Sequence, residues 1–169
     1  MKSIKEEANL KNKKILLRLD LNVPLVGDKI TDTTRIDKIL PTLKFLISQN
    51  AKIIIISHVG RPKGKVLNEL TLRPICKDLE SKLSQNIKLI TKNVKEIVSK
   101  DLFNNDDEKL VMLENIRFCP EEEKNNQQFA KHLSTLADIY VNDAFSCSHR
   151  AHSSIHEITN FLPSYSGLQ

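Results

Sequence analysis

Short apolar runs alternate along this chain with longer stretches of helical periodicity. Lys14 to Leu19 (KILLRL) predicts a first strand. From Thr34 to Gln49 the residues Ile36, Leu40, Leu43 and Ile47 recur at helical spacing. Pro41 falls inside that stretch, so the helix must bend there or tolerate a missing hydrogen bond. Lys52 to Ile56 is rich in isoleucine on both faces, which is how a buried parallel strand reads. Thr71 is the expected N-cap of a helix carrying Leu72, Ile75, Leu79 and Leu83. Ile87 to Ile90 reads as a short strand, Val94 to Lys100 as a short helix, and Leu110 to Leu113 as another buried strand. Gln127 to Leu136 predicts a further helix and Asp138 to Val141 a fifth strand, while Asn104-Asn105-Asp106-Asp107 reads as a polar loop.

Strands that alternate with helices imply right-handed crossovers and a parallel sheet covered on both faces. The expected fold class is therefore α/β, a Rossmann-like parallel sheet of five to six strands with helices on both faces. The 169 residues fit one domain, 1–169, and 40% hydrophobic content is ample for its core.

Lysine and arginine number 26 against 21 acidic residues, a formal charge of +5. Most lysines share their stretches with Glu or Asp, as between Lys2 and Lys14, and no basic block is interleaved with aromatics. Solvated faces explain the excess better than a nucleic-acid surface. Cys76, Cys119 and Cys147 are odd in number, widely spaced and without a CxxC pair, which argues against a disulfide framework or zinc site and for a reducing compartment. Met1 to Glu7 has no apolar core resembling a secretory signal, and no run approaches the ~20 apolar residues of a membrane span. A cytoplasmic protein without membrane or nucleic-acid partners is expected.

Unusual polar residues collect just beyond the strands: Asp20, Asn22 and Pro24 after the first, Ser57, His58, Gly60, Arg61 and Pro62 after the second. Glu114, Asn115 and Arg117 follow the fourth, Asn142, Asp143, His149, Arg150 and His152 the fifth, and Arg35 opens the first helix. Open parallel sheets bind ligands outside the carboxyl ends of their strands. The sheet would thus gather Arg35, Arg61, Arg117 and Arg150 with His58 and His149. Four guanidiniums with few acids among them need an anion, and their planar forks suit phosphate and carboxylate. The pattern predicts a small, highly anionic ligand. Asp20 and Asn22 either orient the arginines and a ligand hydroxyl or simply build a turn.

Other chemistries lack their residues. The glycines stand only at 27, 60, 64 and 167, so neither GxGxxG nor GxxxxGK[ST] occurs, which discourages a dinucleotide enzyme. Ser153-Ser154 beside His152 has no accompanying oxyanion-hole glycine. His149, His152 and His156 would share a helix face, yet Asp143 offers no ligand spacing to complete a metal site, and no metal ligand is assigned. Cys147, near the basic cluster, reads as a reactive thiol or, more plainly, as packing.

Five segments occur in the order of the phosphoglycerate kinase signatures and resemble them. They are Arg18-Leu19-Asp20-Leu21-Asn22-Val23-Pro24, Asp32-Thr33-Thr34-Arg35-Ile36, Ser57-His58-Val59-Gly60-Arg61-Pro62, Leu113-Glu114-Asn115-Ile116-Arg117-Phe118, and Val141-Asn142-Asp143-Ala144-Phe145 with His149-Arg150-Ala151-His152. The family's enzymes transfer a phosphoryl group reversibly between 1,3-bisphosphoglycerate and ADP, giving 3-phosphoglycerate and ATP, on two α/β domains joined by a hinge. The resemblance implies that this chain is the amino-terminal, 3-phosphoglycerate-binding domain. The half that binds Mg-ATP or Mg-ADP would then be missing and be supplied in cis or as a separate chain. It assigns substrate contacts to Asp20, Leu21, Asn22, Arg35, His58, Val59, Gly60, Arg61, Arg117 and Arg150. Asp20 and Asn22 would meet the glycerate end, and His58, Arg61, Arg117 and Arg150 the 3-phosphate. Arg35 would be catalytic, beside the carboxylate and the phosphoryl in flight. Tyr165 and Leu168 are then expected to expose apolar surface meant for a neighbour, and the chain is expected not to turn over alone. The alternative is a non-catalytic small-anion binding or interaction module that keeps the fold.

Overall fold

A computed structural model describes residues 1–169 and contains eight strands and three α-helices. In chain order these are β1 (Lys14–Leu19), β2 (Leu25–Val26), β3 (Lys29–Ile30), α1 (Thr34–Ser48), β4 (Lys52–Ile56) and α2 (Arg73–Leu83). They are followed by β5 (Lys88–Ile90), β6 (Leu110–Leu113), α3 (Gln127–Ser134), β7 (Ile139–Asp143) and β8 (Ser164–Ser166). Six of the strands form one sheet in the order β5-β6-β4-β1-β7-β8, and every neighbouring pair is parallel. The α/β, Rossmann-like expectation therefore holds, with six strands. The chain leaves β1 first toward β4 and later returns to β7 on its other side, so β1 marks the point where the strand order reverses.

Alternation along the strands divides the core in two. Ile15, Leu17 and Leu19 of β1 face the layer made by α1 (Ile36, Ile39, Leu43, Leu46) and α2 (Ile75, Leu79). Leu16 of β1, Ile54 and Ile56 of β4 and Tyr140 of β7 face α3 (Phe129, Leu133) and the 94–102 segment. Both faces are covered, as a parallel sheet requires. Pro41 leaves α1 continuous because it lies on the exposed side of the helix.

Several local expectations are corrected. Val94 to Lys100 is no helix but two 3₁₀ turns, Val94–Glu96 and Ser99–Asp101, begun by the Asn93 side chain and closed by Asp101 accepting from Val98 N. Leu72, not Thr71, holds the cap position of α2; Thr71 Oγ1 still accepts from Arg73 N, and the Glu114 carboxylate takes Leu72 N at 2.8 Å. Asp138 stays outside β7 because its carboxylate accepts Lys14 N. Strand β8 and the β2–β3 hairpin lacked sequence signal, being two or three residues long. Tyr165 and Leu168 are partly buried against the larger core cluster, and the Tyr165 hydroxyl donates to Glu7 at 2.6 Å, so they are no bare apolar face. No helix is long and apolar enough to cross a membrane.

Candidate functional site

Beyond the carboxyl ends of four adjacent strands, β6, β4, β1 and β7, lies an open cavity of about 630 Å³. The loop after β1 contributes Asn22, and the first turn of α1 contributes Arg35. His58, Gly60, Arg61 and Lys63 come from the loop after β4, Arg117 and Glu123 from the segment after β6, and Ser146, Cys147 and Arg150 from the loop after β7. Five cationic side chains therefore face one carboxylate, and only Cys147 is apolar. The volume suits a small ligand, and the charge demands an anion.

Backbone geometry builds this wall. Gly60 has φ +66°, and a Cβ there would meet the Leu70 side chain at 2.6 Å, while its N–H donates to Asn22 Oδ1 at 2.9 Å. Gly64 has φ +76° and donates to Arg117 O at 3.1 Å, tying the β4 loop to the β6 loop. Neither position admits a side chain without strain.

Asp20 is almost buried and acts as a clamp. Its Oδ1 accepts Arg35 Nη1 at 3.1 Å and Asn22 N at 3.3 Å, and its Oδ2 accepts the Ser146 hydroxyl. Arg35 also donates to Asn22 O at 3.0 Å, so a half-exposed guanidinium is held by two fixed acceptors. Asp20 thus orients an arginine and also makes the turn.

The floor is drier. Arg117 is 7% exposed; its Nε has no hydrogen-bond partner and stands 3.9 Å from Glu123 Oε1. Burial lowers the Arg117 pKa, and Arg18 and Arg150 push the same way. His58, 2% exposed, is pushed down to about 2 by burial and by Arg18 and Arg117, so its ring is neutral. His152 is lowered by burial and Arg117, and its Nδ1 is unpartnered.

Arg35, Arg61, Arg117, Arg150, His58, Asn22 and Gly60 all line the cavity, as expected from the sequence. Asp20 stands behind Arg35. Leu21 and Val59 send their side chains into the core, and His149 lies exposed outside the cavity. His149, His152 and His156 share no helix, since residues 148 to 156 form bends and turns, and no three His, Cys, Asp or Glu side chains converge as metal ligands would. Ser153 and Ser154 are buried with their hydroxyls committed to carbonyls or Glu122, which removes them as nucleophiles. Sequence reasoning missed Lys63, Glu123, Ser146 and Arg18. Lys63 sits one residue beyond the quoted motif; Arg18 was hidden inside a strand.

The phosphoglycerate kinase family model matches residues 5–169. Phosphoglycerate kinase of Wolbachia pipientis subsp. Culex pipiens is 49% identical over 163 residues, covering 96% of this chain and 41% of the relative. That of Moorella thermoacetica is 44% identical over 163 residues, covering 96% and 42%. The Coxiella burnetii phosphoglycerate kinase structure superposes with TM-score 0.85 at 36% identity, covering 97% of this chain and 40% of that one. The Pyrococcus horikoshii structure gives 0.85 at 30%, covering 99% and 42%. This chain spans about two-fifths of the length of these relatives. With the family model matched almost end to end, the chain belongs to the phosphoglycerate kinase family.

Proposed function

We propose that residues 1–169 form the 3-phosphoglycerate-binding domain of a cytoplasmic glycolytic phosphoglycerate kinase, with no turnover of its own. The observation that carries this reading is the cavity in which five cations and one carboxylate meet at four strand ends. 3-Phosphoglycerate presents a phosphate, a hydroxyl and a carboxylate within one small molecule, and bidentate guanidiniums bind both anionic groups. Arg61, Lys63, Arg117 and Arg150 with His58 take the phosphate. Asn22 holds the glycerate end, and Arg35, fixed by Asp20 from behind, stands by the carboxylate.

The reaction then needs positioning and charge stabilisation more than covalent help. The substrate carboxylate is already ionised at neutral pH, so attack on the γ-phosphorus of ATP requires no general base. Arg35 would neutralise charge on the transferring group, and arginines so placed are worth ~10³–10⁵ in rate in related chemistry. The residues here do not fit Mg-nucleotide: no glycine-rich loop exists among four glycines, and no acidic cluster could share a metal. On this reading the nucleotide belongs to the additional length that the relatives have, in cis or as a second chain.

Calorimetric titration of the 169-residue chain tests the proposal. Saturable binding of 3-phosphoglycerate, no binding of Mg-ATP, and loss of the signal in an Arg61→Ala, Arg150→Ala double variant are expected. Binding that survives the double substitution would move the ligand elsewhere. ATP formation by this chain alone, in a coupled assay, would contradict its dependence on a partner half.

A further inference from the structure

Beneath the cavity floor lies a buried polar chain that the binding reading does not use. Arg18 projects from β1 toward the α3 side of the sheet and is wholly buried. Its Nε donates to Ser154 Oγ at 3.0 Å and its Nη1 to Leu19 O at 2.8 Å, while its Nη2 stands 3.0 Å from His58 Nδ1. A guanidinium has donors only, so His58 Nδ1 must accept. A neutral imidazole that accepts at Nδ1 carries its proton on Nε2.

The other end of the chain is fixed by the same accounting. The Ser154 hydroxyl has one proton and already accepts from Arg18, so that proton goes to Glu122 Oε2. Ser154 N donates to Glu122 Oε1 at 2.7 Å, and Tyr140 OH to Ser154 O at 2.6 Å. Glu122 is wholly buried and only accepts in these contacts, the pattern of a carboxylate. It is the counter-charge that a buried Arg18 needs. Burial raises its carboxyl pKa, and Arg18 and the Ser154 hydrogen bonds oppose that shift.

We propose that Glu122 and Ser154 are positioning residues: through Arg18 they hold His58 as the neutral tautomer with its proton on Nε2, so that His58 meets the bound anion as a hydrogen-bond donor and never as a cation. The identity of that anion rests on the phosphoglycerate reading; the tautomer does not. Arg18, Arg117, Arg150 and His152, the charged and titratable groups around the ring, all disfavour the imidazolium. The donor is therefore constant from pH 5 to 8, and Nε2–H is oriented before the ligand arrives.

The test is a long-range ¹H–¹⁵N correlation spectrum of the ¹⁵N-histidine-labelled chain between pH 5 and 8, with His58 assigned by its absence in His58→Gln. The expected result is Nε2 protonated and Nδ1 bare throughout, with no midpoint. In Ser154→Ala the His58 signals shift toward mixed tautomers or acquire a midpoint, and 3-phosphoglycerate affinity falls about three- to tenfold. Ser154→Thr, which keeps the hydroxyl, restores both. An Nδ1–H tautomer or an imidazolium at pH 6 in the unmodified chain overturns the proposal, whether or not the Ser154 variants fold. Unchanged His58 signals in a folded Ser154→Ala overturn it too. Failure to bind 3-phosphoglycerate with the stated tautomer present would sink the ligand assignment and leave the positioning intact.

Discussion

Arg61 and Arg150 stand exposed on the rim of the cavity, without a carboxylate partner, whereas Arg18 lies fully buried beneath it with Ser154, Leu19 and His58 taking its donors. The same side chain therefore has two physical roles a short distance apart. On the rim, hydration screens the cation, its mutual repulsion with neighbours is weak, and its hydrogen bonds remain open for a ligand. Beneath the floor, desolvation is costly, and a counter-charge with acceptors on its donors makes the Arg18 charge tolerable. The rim serves binding; the layer beneath the floor serves the shape of the site.

The largest effect that separates the two is on stability. Arg18→Met leaves Glu122 buried without its counter-charge and should cost ~3–5 kcal/mol in urea denaturation. Arg150→Ala should stay within ~0.5 kcal/mol of the parent while weakening 3-phosphoglycerate by ~10-fold or more. Equal losses in both variants would erase the distinction.

A smaller effect appears in acid. His58 has an ordinary value of 6.5 in the unfolded chain and a strongly depressed one in the fold. Its contribution is complete above pH 6.5 and is lost as pH falls, because the unfolded state takes up a proton that the native state refuses. The slope is at most ~1.4 kcal/mol per pH unit, and His152 adds to it with the same sign. Glu122 and Asp143, both raised by burial, act oppositely, losing stability as pH rises. Comparing denaturation of the parent and His58→Gln from pH 7 to 5 isolates the His58 contribution; parallel curves would mean that His58 takes up its proton in the fold as readily as in the unfolded chain.

The smallest effect concerns the rim's one acid. Glu123→Gln removes the negative charge facing the incoming anion and should tighten 3-phosphoglycerate two- to fivefold, about 1 kcal/mol or less. The gain should shrink at high salt. Weaker binding in calorimetry would instead make Glu123 a ligand contact.

How far the sequence reveals this contrast depends on the type of signal. Rim arginines were legible because each follows a strand, and parallel strands bring their carboxyl ends together. The continuous isoleucine of β4 left little choice of structure. Arg18 was hidden for the opposite reason: inside KILLRL it reads as one polar residue in a strand, and only its alternation with Leu16 puts it on the buried α3 face. Its counter-charge, Glu122, comes from the far side of the sequence through Ser154, a pairing that no local spacing encodes. Adjacent residues in a motif also point different ways, which is why Leu21 and Val59 entered the core while Asn22 and Gly60 reached the cavity. Val94 to Lys100 failed as a helix because Asn93 and Asp101 offered the backbone competing partners within one turn.

The position of β1 in the middle of the sheet also sets an order of assembly. Its neighbour β7 is fastened through Lys14 N and Asp138, 124 residues apart, and Arg18 waits for Ser154, 136 residues away. A ribosome adding ~5–20 residues per second needs roughly 7 to 27 s to supply that partner. Until then the central strand has one open edge and carries a charge that cannot yet be buried. The anion pocket therefore cannot be completed until Arg150 and Ser154 have been made.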